Sequence, residues 1–301
     1  MSMTNFRGAF TALVTPMANN GEIDYEGFRR LIQFQMEQGI DGIVPLGTTG
    51  ENPTLEEDEE EKLLEIAVKE AGGKIPIIAG AGSNDTKCMA KYVERAKNIG
   101  ADAALVVTPY FNKPNDGGLL QHFEAAGKVG IPIIVYNIAS RTGRNIPTSL
   151  MAKIASLPNI AGVKESSGDI NQVGEVIKEI AIPKQKKGEK FWVLSGDDGF
   201  TLPVTALGGE GVISVISNLV PAKVKALTKA ALEGNFEEAR ALHYELLPLI
   251  KAAFIETNPA PIKLVMSWKG LPSGSTRLPL GKLAPANEAF LKKTLTDMGI
   301  L

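Results

Sequence analysis

Lys164 is the residue in this 301-residue chain whose setting most invites chemistry. It follows directly on the apolar stretch Ile160-Ala161-Gly162-Val163, where an ammonium taken out of water is costly. Burial disfavours the charged form of a lysine, and a neutral amine attacks a carbonyl carbon to give a Schiff base. The competing reading is a lysine whose stem lies on apolar surface while its head reaches water or a carboxylate. Tyr136 ends another apolar run, 131–137, where a phenol can pass protons to and from a carbinolamine. A packed tyrosine with its hydroxyl tied to backbone is the plainer alternative. Thr48 and Thr49, flanked by Gly47 and Gly50, suit a small anion, because glycines let successive N–H groups converge and the hydroxyls add donors. No lysine follows as in a nucleotide loop, so a carboxylate fits better than a polyphosphate; an ordinary turn leading into a helix is the other reading. Arg141, between Ser140 and Thr142, can grip a carboxylate with two parallel hydrogen bonds, or stand simply solvated on a loop.

These residues lie at the ends of short β-branched runs at 10–16, 41–47, 75–82, 103–109, 131–137, 160–166, 191–196 and 211–216. The runs are apolar on successive positions rather than alternating, as in strands buried on both faces of a parallel sheet. Amphipathic helical stretches separate them, at 25–39, 54–73, 86–100, 118–130 and 147–156. The second is expected to start at Thr54 as N-cap, with Glu57 completing a capping box, and to close on Gly72. The acidic run 56–61 suits a helix start, where the macrodipole favours negative charge. Eight β/α units predict a (β/α)8 barrel over 1–225, with a doubly wound sheet as the alternative. A helical extension over 226–301 is read from the stretches 236–254, 260–270 and 286–299. In such a barrel the chemistry sits at the carboxyl ends of the strands.

Composition narrows the field. Basic and acidic side chains number 32 and 34, which argues against a nucleic-acid surface. One cysteine, Cys88, excludes a disulfide framework, and packing within a helix is its default role. Two histidines, His122 and His243, stand far apart, so no zinc site is expected. Asp197 and Asp198 lack a third ligand and read as helix caps or hydrogen-bond acceptors. The apolar runs fall short of a membrane span, and residues 1–10 lack the plan of a signal peptide, so a soluble cytoplasmic protein is expected. The dinucleotide fingerprint fails after Gly80-Ala81-Gly82, where Asp85 replaces the third glycine.

Taken together, Gly47-Thr48-Thr49-Gly50-Glu51, Tyr136-Asn137, Ser140-Arg141-Thr142-Gly143 and Gly162-Val163-Lys164-Glu165 resemble the dihydrodipicolinate (4-hydroxy-tetrahydrodipicolinate) synthase family, among the pyruvate-dependent class I aldolases. Ser195-Gly196-Asp197-Asp198, Gly211-Val212-Ile213-Ser214, Asn258-Pro259-Ala260-Pro261-Ile262-Lys263 and Leu278-Pro279-Leu280 extend the resemblance over nearly the whole chain. It implies an imine between Lys164 and pyruvate, whose enamine attacks L-aspartate 4-semialdehyde to give 4-hydroxy-tetrahydrodipicolinate for lysine and diaminopimelate. It implies that Tyr136 relays protons with Thr48 hydrogen-bonded to it, and that Thr48 and Thr49, after Gly47, hold the pyruvate carboxylate. Arg141 would then hold the semialdehyde carboxylate, with the Ile213 carbonyl near the imine. No organic cofactor or metal is implied, and the implied assembly is a homotetramer of two dimers.

The family usually carries two adjacent tyrosines where this chain has Tyr110-Phe111, one of them reaching into the partner's site as a proton relay. Its lysine-sensitive members carry small and histidine residues at Asn52, Pro53, Glu57 and Glu60, and an acidic residue at Cys88; Asn84 and Tyr110 remain, and weak or absent inhibition by lysine is expected. The alternatives are another pyruvate-dependent aldolase, acting on N-acetylneuraminate or a keto-deoxy sugar acid, and a weakly active pyruvate-binding paralogue. The Ser-Arg-Thr-Gly segment favours the synthase.

Overall fold

The computed structural model describes residues 5–301; the reading of residues 1–10 as no signal peptide rests in part on positions 1–4, which lie outside them. Eight parallel strands form the centre: β1 Gly8–Ala12, β2 Gly42–Val44, β3 Ile78–Gly80, β4 Ala103–Val107, β5 Ile133–Asn137, β6 Ile160–Glu165, β7 Trp192–Ser195 and β8 Gly211–Ser214. They are ordered β2-β1-β8-β7-β6-β5-β4-β3. A bridge between Ile43 and Ile77, with the Gly80 N–H donating to the Pro45 carbonyl at 2.9 Å, brings β2 onto β3. That contact closes the ring, so the fold is the expected (β/α)8 barrel and not an open doubly wound sheet. The strands are shorter than their apolar runs. β2 shows why: Pro45 and the left-handed Leu46 (φ 60) turn the chain out of the sheet after Val44.

Alternation along each strand decides which side chains enter the barrel. On β5, Ile134 and Tyr136 point inward to a cluster with Phe6, Phe10, Leu105 and Trp192. Ile133 and Val135 point outward to the helices. The register sets Lys164 of β6 opposite Tyr136, and Glu165 opposite Asn137. Sheet pairing therefore places the lysine and the tyrosine side by side inside the barrel.

Helices cover the outside, several of them capped by short polar side chains. Asp24 accepts from the Gly27 N–H at 2.7 Å, and Asp85 from Lys87 and Cys88. The helix expected from Thr54 instead spans Glu57–Ala71 with Glu56 as its cap, the Glu56 N–H donating to Glu59 at 2.9 Å. Thr54 belongs to the preceding turn Asn52–Thr54, where its hydroxyl donates to the Glu51 carbonyl. Cys88 is exposed rather than packed, because it lies on the first turn of the helix Thr86–Ile99, whose buried residues are Met89, Val93 and Ala96. Between β6 and β7 the segments Ile170–Val176, Ile177–Ala181 and Ile182–Lys186 form a helical stretch that the sequence reading did not single out.

The helix Pro221–Leu232 follows β8, and the division expected at 225/226 falls within it. Three further helices, Phe236–Ala253, Ala260–Trp268 and Pro285–Asp297, come after. Their apolar faces, through Leu246, Ile262 and Leu291, join the same core as Ala9, Ile43 and Val212 of the barrel. Burial of one such side chain contributes about 1.5–3 kcal/mol, so the tail and the barrel stabilise each other. Among the described residues no helix is long and apolar enough to cross a membrane.

Candidate active site

Lys164 is 6 % exposed at the carboxyl end of β6. Its Nζ lies 4.2 Å from the centroid of the Tyr136 ring. Among the described residues no ion-pair or hydrogen-bond partner is within reach of it. Lys263, the other buried lysine, is the opposite case. At 1 % exposure its Nζ donates to the Glu51 carboxylate at 2.6 Å and to the carbonyls of Thr15 at 2.9 Å and Ser275 at 2.6 Å. Burial pulls the Lys263 pKa below the ordinary lysine range, and Glu51 pulls it back. One buried lysine is fully engaged; the other is free to react. Gly196 leaves room for the reactive one. A Cβ there would stand 2.8 Å from Lys164 Cε and 3.0 Å from its Cγ, and would collide with the Ser166 hydroxyl.

Two adjoining hollows open at this end of the barrel. The inner one, about 60 Å³, is lined by Gly47, Thr48, Thr49, Tyr136, Arg141 and Lys164 among others. The outer one, about 200 Å³, shares Gly47, Thr48, Tyr136 and Arg141, and adds Asn52 and Tyr110. Residues that the sequence places on four separate segments thus meet at one site. The Thr48–Gly50 segment is a single 3-10 turn, flanked by the left-handed Leu46 (φ 60) and Glu51 (φ 59). The leading N–H groups of such a turn have no acceptor within it and remain available to an anion.

Arg141 lies on the short helical turn Ala139–Thr142 and donates to the Asn258 carbonyl at 3.4 Å. The side-chain amide of Asn258 donates to the Thr49 hydroxyl at 2.9 Å, and Asn258 also lines the inner hollow. Asn258 carries no local signal of this role, since its partner lies 209 positions away. Other expected residues stand apart. The Thr48 and Tyr136 hydroxyls face the hollows without bonding to each other. Ile213 lies on β8, in register with Phe10 of β1, with its side chain in the barrel interior. Phe111 turns out to solvent, 90 % exposed at φ 70, while Tyr110 faces the outer hollow.

Polar groups behind the strands fix these positions. Glu165 points away from the cavity and accepts from Asn137 at 3.1 Å, from the Ser167 N–H at 2.8 Å and from Gln172 at 3.3 Å. Burial raises its pKa against the pull of those bonds. Asp198 accepts from the Ser214 hydroxyl and from the Val215 N–H at 2.9 Å. Burial pushes its pKa up to about 6. Asp197 accepts from the Gly199 N–H at 2.8 Å as the cap of a short turn. Among the described residues no group of three or more His, Cys, Asp or Glu is placed to hold a metal ion.

The model of the dihydrodipicolinate synthetase family matches residues 5–298. The 4-hydroxy-tetrahydrodipicolinate synthase of Protochlamydia amoebophila is 50% identical over 293 residues, 97% of this chain and 96% of that protein. The solved dihydrodipicolinate synthase of Aquifex aeolicus is 46% identical with a TM-score of 0.93, covering 98% of this chain and 99% of its own. The chloride-inhibited dihydrodipicolinate synthase of Acinetobacter baumannii, solved in complex with pyruvate, is 35% identical with a TM-score of 0.94, covering 99% of this chain and 100% of its own. Fold, cavity and likeness along the full length converge: the chain belongs to the dihydrodipicolinate synthetase family.

Proposed function

We infer that the protein condenses pyruvate with L-aspartate 4-semialdehyde to 4-hydroxy-tetrahydrodipicolinate, a lyase-class reaction of lysine and diaminopimelate biosynthesis, through an imine on Lys164. The observation that carries this is a buried, unpaired Lys164 amine beside Tyr136, in one hollow with Thr48, Thr49 and Arg141. The amine adds to the carbonyl carbon of pyruvate, and the carbinolamine loses water to give the imine. Loss of a methyl proton gives the enamine, whose terminal carbon attacks the aldehyde. Tyr136 moves the protons of these steps, as a phenol within the hollow can, with Thr48 beside it. The substrate amine then displaces Lys164 from the imine carbon, which closes the ring and frees the enzyme. No separate electron sink is required, because the protonated imine on the lysine serves as one.

The Thr48–Gly50 turn receives the pyruvate carboxylate through N–H groups and hydroxyls. Arg141, reaching both hollows, pairs with the semialdehyde carboxylate. That arginine favours the synthase over lyases of N-acetylneuraminate or keto-deoxy sugar acids, and over a pyruvate-binding paralogue. A cytoplasmic homotetramer of two dimers fits the family resemblance, and the exposed Phe111 beside the site mouth fits a subunit contact.

Turnover of pyruvate with aspartate semialdehyde, assayed beside N-acetylneuraminate and 2-keto-3-deoxygluconate, tests the reading. It expects turnover of the first pair, and a loss of about 10- to 100-fold in kcat/KM for Arg141→Ala, the worth of one charge-assisted pair. Turnover of a sugar acid in its place would overturn it.

A further inference from the structure

We propose that Glu51 and Lys263 are positioning residues for the carboxylate-binding turn: a buried ion pair by which the C-terminal segment fixes Thr48 and Thr49 in the geometry that receives pyruvate. This rests on the functional reading above and assigns two residues that neither touch the hollows nor take part in the chemistry.

The pair is closed on all sides. Both side chains are 1% exposed, and the ion pair measures 2.6 Å. The ammonium has three protons and three acceptors on three segments: Thr15 after β1, Glu51 at the end of the turn, and Ser275 in the tail. The second Glu51 oxygen accepts from the Arg277 N–H at 2.9 Å. Glu51 follows the turn directly and is held in the left-handed region, φ 59, so its carboxylate anchor sets where the turn ends.

Neighbouring bonds lead the same way. The Thr15 hydroxyl donates to the Gly50 carbonyl at 2.7 Å, and Asn258 holds the Thr49 hydroxyl at 2.9 Å. Thr49, Gly50 and Glu51 are therefore each tied to a group outside the turn, and two of the three ties come from 258–263. Stability alone does not account for an ion pair at this depth. Replacing a buried pair by apolar groups of similar volume is often neutral or stabilising. An ammonium with three fixed acceptors supplies direction, which an apolar contact does not. Direction matters here because the N–H groups and hydroxyls of the turn bind a carboxylate only when they converge on it.

The test compares wild type with Glu51→Gln/Lys263→Met, which removes both charges and leaves no buried ion unpaired, and with Glu51→Gln alone, which keeps an acceptor of the same shape. Three quantities are read on folded protein: KM for pyruvate, KM for aspartate semialdehyde, and the pyruvate concentration that half-saturates borohydride trapping on Lys164. The expected result is a rise of about tenfold or more in pyruvate KM and in the half-trapping concentration, with kcat and the semialdehyde KM within about threefold of wild type. Glu51→Gln serves alone if the double variant does not fold. A folded variant with unchanged pyruvate KM, or one losing kcat with KM intact, overturns the positioning role. Absence of trapping in wild type overturns the pyruvate reading itself, and is thereby distinguished from failure of this proposal.

Discussion

Lys164 and Tyr136 stand opposite each other on neighbouring strands, with the lysine nitrogen 4.2 Å from the centre of the phenol ring. Contact of the N–H groups with the face of the ring orients the side chain without a counter-charge. The amine is thus directed while no partner has to be released before it attacks. Gly196, across the next strand, leaves the space for this arrangement.

Gly196→Ala tests that space. The added methyl would press on Lys164 Cε at 2.8 Å and collide with Ser166, so the lysine has to leave its place beside Tyr136. We expect a loss of about 10²-fold or more in kcat/KM, with the fold retained by circular dichroism. Activity near wild type would show that the position of the Lys164 stem is not critical.

Phe111 is 90% exposed and lines neither hollow of its own chain. Phe111→Tyr is expected to raise kcat by supplying the hydroxyl that the family's second tyrosine carries. An unchanged kcat would mean that the relay runs without a side chain at this position.

His122 makes stability depend on pH. It is 2% exposed, and burial pulls its pKa down to about 4, with Asp85 acting the other way. Its Nδ1 is 2.9 Å from the Thr86 hydroxyl. The unfolded chain binds this proton near pH 6.5 and the folded chain near pH 4, so stability rises with pH across that window. The contribution is fully present above about pH 6.5 and is lost as pH falls through about 4, an effect of order 3 kcal/mol. Asp198, with its raised pKa, contributes stability that is lost as pH rises toward 6, so the histidine is isolated by difference. Between pH 6.5 and 4.5 the thermal midpoint of wild type should fall further than that of His122→Gln. Parallel falls would place the titration elsewhere.

L-Lysine is expected to inhibit weakly or not at all. Glu60 is occupied by Arg95 and Asn52, and Glu57 by Lys91 at 2.5 Å, so these carboxylates are not free to receive an added ammonium. Strong cooperative inhibition in a lysine titration would contradict this.

What the sequence made legible was set by local pattern. Apolar runs of parallel-sheet type marked all eight strands, because strands buried on both faces have no polar side to show. Lys164 stood out as a charge directly after such a run. Its register with Tyr136 was not legible, since strand pairing is decided by packing across the barrel. Thr54 looked like a cap because the serine/threonine signal is local, yet the turn around Pro53 displaced the helix start to Glu56. Asn258 and Lys263 went unassigned because their partners lie 209 and 212 positions away. The signals available were a lysine within the largely apolar Ala260–Trp268 helix and the family resemblance of the segment 258–263.

Lys164 is the residue on which the imine chemistry depends. Incubation with pyruvate and borohydride, followed by peptide mapping, reads it directly. The expected result is one reduced pyruvate adduct, on the peptide carrying Lys164, and none on Lys164→Arg protein that remains folded. An adduct on another lysine, or no adduct on Lys164 in active enzyme, would contradict the imine mechanism.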